Sequence, residues 1–358
     1  MRVLALVDGE KWTGAAAVAC DQVAALVACG FEAQFGFVAD SPLSRRLLPI
    51  GWARPLLRRA REPVGYLSEV RFLRETVRRE KFDVVHVHRS YDHSLAAIAL
   101  RGTGARLART LHHVRYARRD PFSRALFRRT DGVAYANREI AERFGRAGPV
   151  LSPVVDAARF RPAPDPRELR ELRDRLGLPF DRFLVGTVGK MSRGRGHEEA
   201  LLALGRLPER VALVHVGHGE HQPELKRRAE TLGVGGRNFW LGYQEEILPD
   251  LYRSWDAFLL PASGSDQGQR AILEALASGI PVITLDVPGV RDLMEDGVEG
   301  AVVARPEDFP AAVERLIGCD EQHRRLGRAA REKALAFTAE KFAPKAIAFY
   351  ESLVSRSR

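Results

Sequence analysis

The chain has 358 residues, 45% of them hydrophobic, with 56 Lys+Arg against 46 Asp+Glu and three cysteines. At about 150 residues per domain this length predicts two domains, and the apolar fraction excludes a disordered or fibrous chain. No apolar run reaches the roughly 18–20 residues of a bilayer crossing, and Val3–Val7 gives way to Asp8 too soon for a signal-peptide core. Cys20, Cys29 and Cys319 form neither an even set nor a close-spaced metal pattern, so a reducing cytosol is expected. The excess charge is unevenly distributed. Residues 1–160 carry 27 Lys/Arg against 16 Asp/Glu, whereas residues 161–358 carry 29 against 30. The +10 of the whole chain therefore originates in its first half.

Short apolar runs followed by segments of helical period recur along the chain. Val3–Val7, Val84–Val87, Leu107–Leu111 and Val133–Ala136 read as strands in the first half. Phe183–Val188, Ala212–Val216, Phe239–Leu241, Phe258–Leu260 and Val282–Leu285 read as strands in the second. Continuous apolar runs suit parallel strands covered on both faces, and alternation with helices implies βαβ units. Two such series give an α/β protein of two doubly wound, Rossmann-like domains. The Pro-rich stretch Arg161-Pro-Ala-Pro-Asp-Pro166 marks the boundary. We expect an N-terminal domain at 1–160, a C-terminal domain at 161–340 and a separate helix at 341–358. That helix carries Phe342, Ala346, Phe349 and Leu353 on one face and packs back on a domain, the N-terminal one being favoured.

Five segments carry chemistry. After the first strand, Val7-Asp-Gly-Glu-Lys-Trp-Thr-Gly14 is not the dinucleotide fingerprint, because Gly9 and Gly14 are separated by bulky residues. That disfavours a nicotinamide oxidoreductase. Next, Asp83-Val-Val-His-Val-His88 and Thr110-Leu-His-His113 end two strands in histidine. His86 alternates inward with Val84 and reads as core; His88 fits either the core or the site; His112 and His113 can exchange roles. No third ligand stands at a zinc-like spacing, so no metal site is expected. In the second half, Gly189-Lys-Met-Ser-Arg-Gly-Arg-Gly-His197 follows a strand and opens a helix. Its glycines admit a diphosphate to the backbone, and Lys190 and Arg195 neutralise it.

The most specific stretch is Ser265-Asp-Gln-Gly-Gln-Arg-Ala-Ile-Leu-Glu-Ala-Leu-Ala-Ser-Gly-Ile-Pro-Val282. A helix from about Gln269 to Ser278 ends at Gly279, and its N-terminus places Gly268 and Gln269 where a phosphate binds. Asp266 lies in the preceding loop and Glu274 two turns on. This stretch resembles the acidic-x7-Glu signature of retaining glycosyltransferases of family 4, which have the GT-B fold. Glu274-Ala-Leu-Ala-Ser-Gly-Ile-Pro-Val282 matches well. The first half departs, with Asp266 in place of Glu and Gln269-Arg270 in the glycine-rich turn. The resemblance spans the whole chain, with its specificity mostly in 183–290.

The resemblance implies roles. Glu274 would bond the ribose of a nucleotide sugar, Asp266 would face the transferred sugar, and Lys190, Arg195 and Gly14 would hold the diphosphate. His112 would contact the donor sugar. Asp156, Phe160 and Pro162 match the family's domain-junction motif without its Asn-Gly turn. The implied activity is a metal-independent, retaining glycosyl transfer using a nucleotide sugar as substrate, with no bound cofactor. The basic first half would receive an anionic or lipid-linked glycan acceptor of lipopolysaccharide type. Arg45, Arg46, Arg54, Arg58, Arg59 and Arg61 among Leu47, Leu48, Ile50, Trp52, Leu56 and Leu57 suggest a surface for an anionic membrane, which would place the protein peripherally on its inner face. Arg115, Arg118, Arg119, Arg124, Arg128 and Arg129 form a second basic cluster. A nucleic-acid partner is disfavoured, because aromatic residues do not interleave with the basic clusters. Rival readings are a sugar-nucleotide epimerase, a phosphorylase or a non-catalytic paralogue of the same fold.

Overall fold

A computed structural model describes residues 1–10, 12–60, 62–113, 120–163, 165–262 and 269–355. Two compact units emerge: Met1–Val154 with Ala339–Arg358, and Val155–Thr338. Each is built on a six-stranded sheet in which every pairing is parallel.

The first sheet contains β1 (Val3–Leu6), β2 (Ala33–Val38), β3 (Ala53–Leu57), β4 (Val84–Val87), β5 (Arg106–Leu111) and β6 (Gly132–Tyr135), in the order β3-β2-β1-β4-β5-β6. The second contains β7 (Phe183–Val188), β8 (Val211–Val216), β9 (Asn238–Gly242), β10 (Ala257–Leu260), β11 (Val282–Leu285) and β12 (Gly300–Val303), in the order β12-β11-β10-β7-β8-β9. Both are Rossmann-like: the chain winds one way from the first strand of the unit, then returns to its other side. β1, β4, β6, β8, β10 and β11 are buried along their whole length, as strands covered by helices on both faces must be.

Three strands escape the periodicity. β2 is broken by Gln34 and Gly36, β12 begins at Gly300, and β3 contains Arg54-Pro55. Proline is tolerated in β3 because it is an edge strand. Around this strand, much of the apolar face expected to meet a membrane over residues 45–61 packs inward, and Arg61 lies outside the described residues. Leu47, Leu56 and Leu57 are core residues, Arg54 pairs with Glu80, and Arg46 lies over the Trp12 ring at 3.9 Å. Of the expected apolar face, Leu48 alone is an exposed large hydrophobic, at 58%.

The unit boundary falls at Val154/Val155 rather than at 160/161. Phe160 is buried in the second core, and the Arg331 guanidinium donates to the carbonyls of Phe160, Ala277 and Ala157 at 2.6–2.9 Å. The chain then returns to the first unit through the helix Ala339–Ser355, which buries Phe342, Ala346, Phe349, Tyr350 and Leu353 against β1 and its neighbours. The Tyr350 hydroxyl lies 2.9 Å from His86 Nδ1, and the Thr110 hydroxyl lies 2.8 Å from His86 Nε2. His86 is thus a core residue with both ring nitrogens bonded.

Removing one of those partners strands a buried polar atom, at a cost of about 1–3 kcal/mol. Tyr350→Phe is expected to lower stability by that amount in urea unfolding, with the volume of the ring preserved; an unchanged midpoint would show that the hydroxyl does not anchor the helix.

Candidate active site

In a doubly wound sheet, ligands bind outside the carboxyl ends of the strands where the winding reverses. In the second unit that point lies between β7 and β10, and both signature segments leave the sheet there. The loop after β7 runs through Lys190 and Arg195 to Gly196. A Cβ at Gly196, which has φ +78°, would overlap the Pro261 carbonyl at the end of β10. Only glycine permits that approach, so this position draws the two loops together. The helix His197–Leu204 starts immediately after it.

Lys190 Nζ pairs with Glu220 at 2.9 Å, with both side chains at least 60% exposed. Exposed pairs are worth little, so an anion of higher charge can replace Glu220. Arg195 is half-buried in the same loop. On the other strand, the helix Gln269–Ala277 is almost wholly buried. Gln269 Nε2 donates to the Pro288 carbonyl at 3.3 Å. Glu274 is buried and accepts from Arg270 Nε at 2.9 Å. Burial raises the Glu274 carboxyl above the usual range, and the charge of Arg270 opposes that rise. The helix ends at Gly279, with φ +72° as a left-handed C-cap requires. Asp266 and Gly268 lie outside the described residues.

In the first unit the winding reverses between β1 and β4, and a buried polar cluster occupies that edge. Asp8 follows β1 and pairs with Arg89 Nε. His88 follows β4, and its Nδ1 lies 2.9 Å from His112 Nε2 at the end of β5. Asp92 is fully buried and accepts from the backbone N–H groups of His88 and Arg89 at 2.9–3.2 Å. Burial pushes Asp92 up to about 7, with the nearby Asp8 adding to the rise. Burial also pushes His112 down to about 4 and His88 well below its ordinary value. Two neutral imidazoles in contact can donate and accept hydrogen bonds, as sugar hydroxyls require. Gly14 begins the helix Gly14–Ala28 behind β1, with the Thr13 hydroxyl capping it. Among the described residues no cluster of three or more His, Cys, Asp or Glu is arranged to hold a metal ion.

Residues 169–333 match the family described as glycosyl transferases group 1, and residues 12–159 match Glycosyltransferase Family 4. The lipopolysaccharide core biosynthesis mannosyltransferase LpsB of Rhizobium meliloti is 32% identical over 250 residues, covering 65% of this chain and 69% of that protein. This chain is a family 4 glycosyltransferase. A D-inositol 3-phosphate glycosyltransferase of Xylanimonas cellulosilytica is 31% identical over 58% of this chain, which spans about half (52%) of that protein's length. The Anabaena protein Alr3699/HepE, solved in complex with UDP, superposes with a TM-score of 0.82 over 98% of this chain and 100% of its own, at 20% identity. The shared fold is GT-B.

Within the glycosyltransferase, the structure groups Lys190, Arg195, Gln269 and Glu274 at one switch point, and His112 with His88 at the other. His113 is only half-buried beside them. Arg270 is a site neighbour whose pairing with Glu274 only the i,i+4 spacing hinted at. Asp8, Arg89 and Asp92 were not singled out from sequence. Their signal was charge at the ends of apolar strands, which ordinary loop polarity mimics.

The enzyme's buried imidazoles set its acid response. His86 and His93 are pushed down to about 3 and His112 to about 4, each chiefly by burial. The unfolded chain binds protons on these groups from about pH 6.5 downward while the native state does not, so stability falls as pH drops through that window. Asp92, Asp8 and Glu274, all raised by burial, act with opposite sign, losing stability as pH rises above the carboxylate range. The six depressed imidazoles, His86, His88, His93, His112, His197 and His215, outweigh the three raised carboxyls. The urea midpoint is expected to fall between pH 7 and pH 5, and a flat profile would contradict burial of neutral histidines.

Proposed function

We propose that this enzyme moves a sugar from a nucleoside diphosphate to an anionic envelope glycan or glycolipid acceptor of lipopolysaccharide type, with retention and without a metal. The approach of Gly196 to Pro261 carries the donor assignment. It draws the Lys190/Arg195 loop to the strand end that feeds the helix beginning at Gln269. A diphosphate placed there meets two cations, and charge that develops as the glycosidic bond breaks is stabilised electrostatically. In the retaining route the bond from the anomeric carbon to the diphosphate oxygen breaks, and the acceptor hydroxyl attacks from the same face. Its proton passes to the departing phosphate oxygen.

The acceptor assignment rests on the positive charge of the first unit and on the similarity to LpsB, a lipopolysaccharide core mannosyltransferase. The relocated membrane surface is the helix Pro121–Arg128, which buries none of its residues. Phe122 is 66% exposed there, and Arg124 and Arg128 of the same helix are exposed too. No helix among the described residues is long and apolar enough to span a bilayer, so attachment would be peripheral, on the inner face of the cell membrane.

Nucleotide release from UDP-, GDP-, ADP-, TDP- and CMP-sugars in the presence of EDTA tests the donor and the metal together. Release from a diphosphate sugar is expected to persist with EDTA, and Lys190→Ala is expected to lower kcat by about 10²–10³-fold. No release with any donor would overturn the assignment, and abolition by EDTA would overturn metal independence. In liposome sedimentation the protein should bind anionic vesicles over neutral ones, less so as Phe122→Ser; equal binding to both vesicle types would remove the electrostatic surface.

A further inference from the structure

A second cavity opens in the first unit, apart from the histidine pair. Its volume is about 450 Å3, and Arg59, Ala60, Glu62, Pro63, Tyr66 and Tyr91 line it. That size is ordinary for a small-molecule site, about 300–1,000 Å3. We infer that this cavity holds an anionic sugar of the acceptor, a pyranose carrying a phosphate or carboxylate. The inference rests on the acceptor reading above and deepens it.

The pocket is built rather than incidental. Arg58, Arg59 and Ala60 follow β3 at its carboxyl end, and all three donate their backbone N–H groups to the Glu69 carboxylate at 2.8–3.3 Å. Glu69 is itself buried, and its second oxygen also accepts from the Tyr91 hydroxyl at 2.6 Å. This carboxylate holds Arg59 at φ +56°, a conformation that favours glycine. An arginine nevertheless stands at this position and lines the cavity.

The walls suit a charged sugar. Tyr66 and Tyr91 meet edge to face, with ring centroids 5.7 Å apart. Both hydroxyls are tied down, Tyr66 to Ser94 at 3.2 Å and Tyr91 to Glu69, so the rings are rigid surfaces for the C–H face of a pyranose. Glu62 is exposed at the rim and can accept from sugar hydroxyls. Arg59 supplies the planar fork that phosphate and carboxylate fit. Its present partner is Glu10 at 3.0 Å, with the two side chains 37% and 46% exposed. Such a pair yields readily to a better-matched anion. Because Glu10 follows β1 and Tyr91 follows β4, these contacts place the cavity beside the β1/β4 reversal, where a doubly wound unit takes its ligand.

Isothermal titration of the full chain with mannose 6-phosphate, glucuronate, neutral mannose and inorganic phosphate tests the assignment. Arg59→Gly removes the guanidinium at a backbone position glycine prefers, so folding is retained, as thermal unfolding will show. The charged sugars are expected to bind at least tenfold more tightly than mannose, and Arg59→Gly and Tyr66→Ala should each lose that preference. Unchanged affinity in Arg59→Gly would overturn the subsite. Inorganic phosphate binding as well as mannose 6-phosphate would overturn the sugar assignment. Arg59-dependent binding by a wild-type protein that releases no nucleotide from any donor would sink the transfer reading and leave the subsite standing. Nucleotide release without Arg59-dependent binding would do the reverse.

Discussion

The reversal of winding next to β1 and again next to β7 is the constraint on which the chemistry depends. A parallel sheet directs all its strand ends one way, and at a reversal the two flanking loops turn apart, leaving a crevice lined by free backbone groups. Both units adopt the same strand order, so each acquires one such crevice. The first unit fills its crevice edge with buried imidazoles and carboxylates. The second surrounds its own with cations and a helix N-terminus.

The two edges differ electrostatically for a physical reason. Lys190 and its partner are exposed, so their mutual attraction is weak and the cation is available to a ligand. In the first unit Asp8, Asp92, His88 and His112 are all buried, where an uncompensated charge is expensive and neutral forms are favoured. One edge can therefore receive a diphosphate while the other offers hydrogen bonds of the strength that sugar hydroxyls make. Glu274 lies between these extremes, a buried carboxyl restrained by Arg270.

Much of the fold was legible because nine strands are short, mainly apolar runs, a pattern that burial on both faces favours. β2, β3 and β12 were not. Glycine, proline and charge interrupt them, and only their neighbours in the sheet make them strands. Residues 45–61 show the same confusion, since Leu47, Leu56 and Leu57 beside arginines look amphipathic in sequence yet are buried. For the site, the Lys190 and Glu274 segments were legible through glycine and charge spacing. The Asp8–Arg89 pair was not, because it joins residues distant in sequence, and the Glu69-held loop was not, because no local period links a helix carboxylate to backbone N–H groups of the preceding loop.

Sequence by itself determined the two-series α/β plan, the glycine-rich and acidic segments, and the helical face of residues 342–353. Each depends on local periodicity or on a short motif, which neighbouring residues encode directly. It also located the excess positive charge in the first half of the chain. Only the tertiary structure decided what that charge does. Arg54 and Arg46 are occupied by Glu80 and Trp12, whereas Arg59 is held through its backbone N–H by the buried Glu69 carboxylate and lines a cavity. Whether an arginine is packing, pairing or waiting for a ligand depends on what long-range contacts place beside it, and composition carries no record of that.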